Sequence, residues 1–83
     1  EDETISGQTI DSPMVGTFYA APNPGAKSFV SVGDKISEGE VLCIIEAMKM
    51  MNEVKADSSG TIKQVLIENA EPVEFGQPLF VIE

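Results

Sequence analysis

Apolar residues in this chain fall in short runs separated at close spacing by Gly, Pro, Asn and Asp, and no stretch repeats them at the helical period. The pattern predicts an all-β barrel or sandwich with no helix. Strands are expected at Thr9 to Asp11, Gly16 to Tyr19, Ser28 to Val30, Val41 to Glu46, Asn52 to Ala56, Gly60 to Leu66 and Leu79 to Ile82. A short strand near Pro72 to Glu74 completes eight. The intervening turn signals include Ser12-Pro13, Pro22-Asn23-Pro24-Gly25, Val32-Gly33-Asp34, Asp57-Ser58-Ser59-Gly60 and Gly76-Gln77-Pro78.

An internal repeat sharpens the prediction. Gly16-Thr17-Phe18 matches Gly60-Thr61-Ile62. Asp34, Ile36, Gly39, Leu42, Ile44, Ile45 and Glu46 match Glu71, Val73, Gly76, Leu79, Val81, Ile82 and Glu83. The two offsets, 44 and 37, differ by seven residues, which fall in the first half around Ala20-Ala21-Pro22-Asn23-Pro24-Gly25-Ala26. Two equivalent β units related by a pseudo-twofold axis would form two small sheets packed face to face, a flattened eight-stranded barrel. Each half ends on one strand, so the chain must reverse between Glu46 and Asn52 to begin its second half. Pseudo-symmetry puts that reversal at the end of the barrel opposite the termini.

The reversal breaks a local rule. Every other expected turn carries Gly, Pro, Asn or Asp at its tip, whereas this one offers Ala47-Met48-Lys49-Met50-Met51. Local rules tend to fail at functional sites, and Lys49 is the chemically distinctive residue there. An exposed lysine amine is mostly protonated at neutral pH, and reaching the nucleophilic form costs on the order of 4 to 5 kcal/mol. Nearby Glu46 and Glu53 would favour the cation further. Lys49 is therefore better suited to accept a modification from an enzyme that removes its proton than to act as a base or Schiff-base lysine. Exposed methionines beside it make an adaptable surface for a partner.

Composition excludes several classes. Eighty-three residues make one small domain, with a core that is marginal unless the architecture closes on itself. There is no histidine, which removes Ser-His and Cys-His nucleophile pairs and the usual zinc sites, and a single cysteine cannot form an internal disulfide. No catalytic residue and no metal ligand set is expected. A net charge of −9 with five scattered lysines argues against nucleic acid or an anionic membrane as partner. No apolar stretch approaches the ~20 residues of a membrane span. Residues 1–8, opening Glu1-Asp2-Glu3-Thr4 without Met, are expected to be the end of a linker or a flexible N-terminus, and residues 9–83 the domain. Cys43, mid-strand among aliphatics, is expected to be a small buried hydrophobe, and Gly16, Gly39, Gly60 and Gly76 to be turn or bulge positions.

Glu46-Ala47-Met48-Lys49-Met50 resembles the attachment motif of biotinyl domains, in which the lysine between two methionines receives biotin through an amide made by biotin protein ligase. The resemblance runs from about Ile10 to Glu83. Ser12-Pro13-Met14-Val15-Gly16-Thr17-Phe18-Tyr19, the proline loop after it and Gly33-Asp34-Lys35 are similar to the biotin carboxyl carrier family of multisubunit acetyl-CoA carboxylases. That family has the barrel the repeat suggests. Lipoyl carrier domains share the architecture, but their lysine typically follows an acidic residue.

The resemblance implies covalent biotin on Lys49, with Glu46, Ala47, Met48 and Met50 read by the ligase. A separate biotin carboxylase would load the ureido nitrogen using ATP and bicarbonate, and a carboxyltransferase would pass the carboxyl group to acetyl-CoA, giving malonyl-CoA for fatty acid biosynthesis. The domain would be a carrier performing neither step, in a bacterial cytoplasm or a plastid stroma. Carriers for other biotin-dependent carboxylases or decarboxylases are the alternative. The seven extra residues correspond to a protruding thumb at about 20–27 that most other biotinyl and lipoyl domains lack. Ala20 and Ala21 stand where relatives often carry polar or charged side chains.

Overall fold

A computed structural model of the chain describes residues 8–83. The expected linker end lies outside the described residues apart from Gln8, which opens the first strand. Eight strands run in the order β1 (Gln8–Asp11), β2 (Gly16–Tyr19), β3 (Lys35–Ile36), β4 (Val41–Ala47), β5 (Met50–Lys55), β6 (Gly60–Val65), β7 (Pro72–Val73) and β8 (Pro78–Ile82). They form two four-stranded antiparallel sheets, β1-β8-β6-β3 and β5-β4-β2-β7. The core between them contains Ile10, Phe18, Ile36, Leu42, Ile45, Val54, Ile62, Val73, Leu79, Phe80 and Ile82, with the rings of Phe18 and Phe80 tilted against each other at 6.0 Å. In the second half of β5 burial alternates, Asn52 and Val54 turning inward and Glu53 and Lys55 outward, because one face packs on the core and one meets water.

The pseudo-twofold is written into the topology. Exchanging β1 with β5, β2 with β6, β3 with β7 and β4 with β8 turns one sheet order into the other. The correspondence reaches single hydrogen bonds. Ser12 N donates to Gln77 O and Gly76 N to Ser12 O; in the other half Ala56 N donates to Glu40 O and Gly39 N to Ala56 O. Likewise Asp34 Oδ2 accepts from Ser31 N at 2.9 Å, as Glu71 Oε1 does from Glu68 N at 3.0 Å. The first residues of β2 and β6, Gly16 and Gly60, are close-approach positions rather than turns. A Cβ on Gly16 would run into Glu46 O and Ile45, and one on Gly60 into Ile82.

One strand differs from expectation. Ser28 to Val30 forms no ladder; Val30 is buried and Phe29 packs against the core, but Phe29 N donates to Ala20 O to close the loop before it. The apolar pair signals burial there, not pairing. The true third strand, Lys35–Ile36, is two residues long, with only Ile36 inward, and pairs with Gly60 and Thr61 of β6. The β4–β5 reversal is also tighter than the expected Glu46 to Asn52 span, since pairing continues to Ala47 and Met50.

Candidate functional site

Four consecutive buried residues, Leu42 to Ile45, anchor β4 in the core before it emerges with β5 as a hairpin. The last pair is Ala47 with Met50, leaving Met48 and Lys49 as a two-residue loop. Both have positive φ, 52° and 64°, as a type I′ turn requires. That turn matches the twist of the flanking strands and normally uses Asn-Gly, whereas side chains with a Cβ cost roughly 1–2 kcal/mol each in the left-handed region. The structure therefore holds strain at the one position where the sequence breaks turn rules, a combination that points to function. Asn52 braces the strands, its amide donating to Ile45 O and Met50 O at 3.3 Å each.

The result is a lysine presented on a stiff support. Met48 is 93% exposed, Lys49, Met50 and Met51 are exposed, and among the described residues no carboxylate pairs with Lys49. The tip faces away from Gln8: β5 runs from Met50 to Lys55, and just beyond its far end Ser58 Oγ donates to Gln8 Oε1 at 3.3 Å.

Below the tip lies a cleft of about 680 Å³, walled on one side by Ala20 to Ala26 and on the other by Tyr19, Glu46, Met51, Asn69 and Ala70. The inserted loop is built to project. Asn23 O accepts from Ala26 N at 3.1 Å across Pro24 and Gly25. Pro24 sets its own φ, and Gly25 takes φ 81°, the arrangement of a type II turn. At its base Ala20 N donates to Asn69 Oδ1 at 2.8 Å and Phe29 N to Ala20 O at 2.8 Å. Tyr19 donates its hydroxyl to Glu46 Oε1 at 3.1 Å, and that carboxylate raises the tyrosine's pKa above 10.0 through the hydrogen bond first and its charge second.

Of the residues singled out from sequence, Glu46 and Ala20 to Ala26 come together around the cleft, with Lys49, Met48, Met50 and Ala47 at the tip above it. Tyr19, Met51, Asn52, Asn69 and Ala70 were not singled out. Met51 had a signal, since Glu46 and Met51 are separated by a reversal and pair across it. Asn69 and Ala70 belong to a turn far along the chain, and nothing local announces their contact with the inserted loop. Cys43 is buried, and burial pushes its thiol up to about 12, so it is an inert part of the core.

Two interchangeable four-stranded sheets packed face to face, with an exposed lysine that no carboxylate pairs among the described residues at the link between the halves, define a carrier domain that holds out an attachment point. The family model described as "Biotin-requiring enzyme" matches residues 8–82, and the chain belongs to that family. It is 55% identical over 78 residues to the biotin carboxyl carrier protein of acetyl-CoA carboxylase from Pseudomonas aeruginosa, covering 94% of this chain and 50% of that protein. The chloroplastic counterpart from Glycine max is 58% identical over 74 residues, covering 89% of this chain and 28% of that one. Among solved structures, the urea carboxylase of Kluyveromyces lactis contains a region with TM-score 0.79 and 30% identity that covers 100% of this chain and 7% of that one. The chain thus spans half or less of the length of the relatives compared.

Proposed function

We propose that this chain is the biotin-bearing carrier domain of a multisubunit acetyl-CoA carboxylase, with biotin joined to Lys49 Nζ as an amide. The observation that carries the reading is Lys49 at the apex of a strained two-residue turn between Met48 and Met50. The residues present fit the group: an exposed primary amine stands over an open cleft large enough for a small bicyclic ring. Biotin would supply a ureido nitrogen that accepts and releases a carboxyl group. Everything else falls to the chain itself. The β4–β5 ladder fixes the height of the amine, Asn52 stiffens the hairpin, and residues 20–27 form a thumb bordering the space the ring would sweep.

The partners of this reading are biotin protein ligase, which would read Glu46, Ala47, Met48 and Met50 around the lysine, then biotin carboxylase and carboxyltransferase. The other lysines, Lys27, Lys35, Lys55 and Lys63, are also exposed, so the ligase must choose by shape. A rigid display lowers the ordering entropy lost on docking. Residues 9–83 act as the carrier and residues 1–8 as the end of a tether, and tethering raises the effective concentration of the cofactor at both active sites. A bacterial cytoplasm or plastid stroma suits this role.

Intact mass after expression with biotin and a biotin protein ligase tests the proposal. One biotinyl adduct is expected, absent from Lys49→Arg. No adduct, a lipoyl adduct, or an adduct retained by Lys49→Arg would overturn it.

A further inference from the structure

The inserted loop leaves the barrel at Ala20, and the equivalent strand of the other half shows what changes there. β6 stays in its ladder through Gln64 and Val65, which pair with Val81 and Phe80. β2 stops at Tyr19, whose partner is Ile44. Ala20 lies past that ladder, and both of its backbone groups are taken up elsewhere: its N–H goes to Asn69 Oδ1 and its carbonyl accepts from Phe29 N, each at 2.8 Å. Among the described residues, no hydrogen bond joins residues 21–28 to the barrel, since the bond from Ala26 N to Asn23 O is internal to the loop. The posture of the whole loop is therefore set at Ala20 and Phe29.

The turn that carries Asn69 is fastened to β2 through both backbone groups of Phe18. Ala70 N donates to Phe18 O at 2.7 Å and Phe18 N to Glu71 O at 2.8 Å, as Gly33 N donates to Ile62 O and Ile62 N to Asp34 O in the other half. At the place equivalent to Asn69 the other half has an exposed Val32. The barrel thus closes this turn without an asparagine, and the carboxamide serves the loop. We infer that Asn69 is a positioning residue: its side chain latches Ala20 and so holds the thumb in one posture over the cleft that Asn69 itself lines. This rests on the reading of Lys49 as the biotin-bearing residue, because the wall so fixed borders the space that the group on Lys49 sweeps. A wall already held in place does not have to be ordered when the ring meets it. The atom facing Ala20 N–H must be the carboxamide oxygen, which makes aspartate the replacement that keeps the latch and valine the one that removes it.

Amide hydrogen exchange on the unmodified chain tests the latch. Asn69→Val, which installs the residue of the equivalent turn, is expected to speed exchange at Ala20 about tenfold, while Asn69→Asp stays within about twofold of wild type. The Ile44 and Ile45 amides of β4 should exchange at wild-type rates in both variants, which separates a released loop from a weakened barrel. An unchanged Ala20 rate in Asn69→Val, a rise shared equally by Ile44 and Ile45, or a rise of the same size in Asn69→Asp overturns the latch. The second readout uses the biotinylated chain: exchange of the ureido N–H protons is expected to be about threefold faster in Asn69→Val than in wild type and restored in Asn69→Asp. Equal ureido rates in all three chains overturn the positioning role while leaving Lys49 as the biotin-bearing residue. A wild-type chain that takes no biotin removes the carrier reading and the positioning role together, and Ala20 exchange in the unmodified chain still decides the latch.

Discussion

The Lys49 end of the barrel and the end that carries Gln8 and Glu83 are built from equivalent positions, so each serves as a control for the other. Both use a Gly to let a strand start pass close to the neighbouring chain, and both tie their turns with the same backbone bonds. They differ in four respects. One end has the strained turn at Met48 and Lys49, the seven-residue loop, exposed Val15 and Phe75, and a Tyr19–Glu46 pair where the other has Lys63–Glu83. What the ends share is the requirement of the barrel. What they do not share is what the barrel was adapted to do.

The largest effect comes from moving the lysine while leaving everything else. Lys49→Met with Met50→Lys keeps composition and barrel but shifts the amine from the turn into the first pair of β5. Biotin incorporation should be abolished, as read by intact mass after exposure to ligase, with the circular dichroism spectrum unchanged. Efficient incorporation would show that position along the hairpin is not what is read.

Next in size are the two close-approach glycines, which should not respond equally. A Cβ at position 16 meets the backbone oxygen of Glu46 and lies 2.7 Å from Ile45 Cγ2; at position 60 it lies 2.5 Å from Ile82 Cγ2, with the nearest backbone oxygen, that of Glu83, at 3.2 Å. A methyl group can shift more readily than a laddered carbonyl. Gly16→Ala should cost about 3 kcal/mol and Gly60→Ala about 1–2 kcal/mol in urea unfolding, within the range for overpacked sites. Equal losses would mean that the two ends tolerate crowding alike.

Ala70 and Gly33 offer a smaller contrast. They are equivalent, with φ of 70° and 96°, and their amides donate to Phe18 O and Ile62 O at the matching point of each half. Glycine occupies the left-handed region without a Cβ penalty. Ala70→Gly should therefore be neutral or stabilising by up to about 1 kcal/mol, and Gly33→Ala destabilising by a similar amount. Ala70 lines the cleft, so a methyl group kept at a conformational cost there fits a surface shaped for a ligand rather than for stability.

Much of this architecture was legible before the structure. Short apolar runs gave the class of fold, and the matched residues gave the two interchangeable sheets. The position of the reversal followed from the repeat alone. Where local signals were followed against the repeat, they misled. Phe29-Val30 read as a strand because it is apolar, while Lys35–Ile36 escaped notice because a two-residue strand with one inward side chain leaves no period to detect. Its equivalent near Pro72 was expected, and the offset between Ile36 and Val73 would have carried that expectation back. At the site, the motif announced Lys49, but Asn69 was invisible because its role, accepting from Ala20 N, is a contact across 49 residues that only the folded chain creates.

The pair position beneath each end gives the smallest and cleanest reading of how they differ. Tyr19 is the only tyrosine and the chain has no tryptophan, so its phenolate absorbance in the ultraviolet can be followed without interference. Its hydrogen bond to Glu46, and then the charge of that carboxylate, disfavour the phenolate and raise the folded-state pKa above 10.0. Because the folded pKa is raised, the stabilisation from this pair is fully present below the pKa of the unfolded tyrosine and is lost as pH rises through the folded value. Stability should thus decline above about pH 10, and Glu46→Gln should bring the titration back toward the ordinary tyrosine value and flatten that decline. If Glu46→Gln leaves the titration unmoved, Glu46 is not holding the tyrosine, and the cleft wall at the lysine end owes its form to something other than this pair.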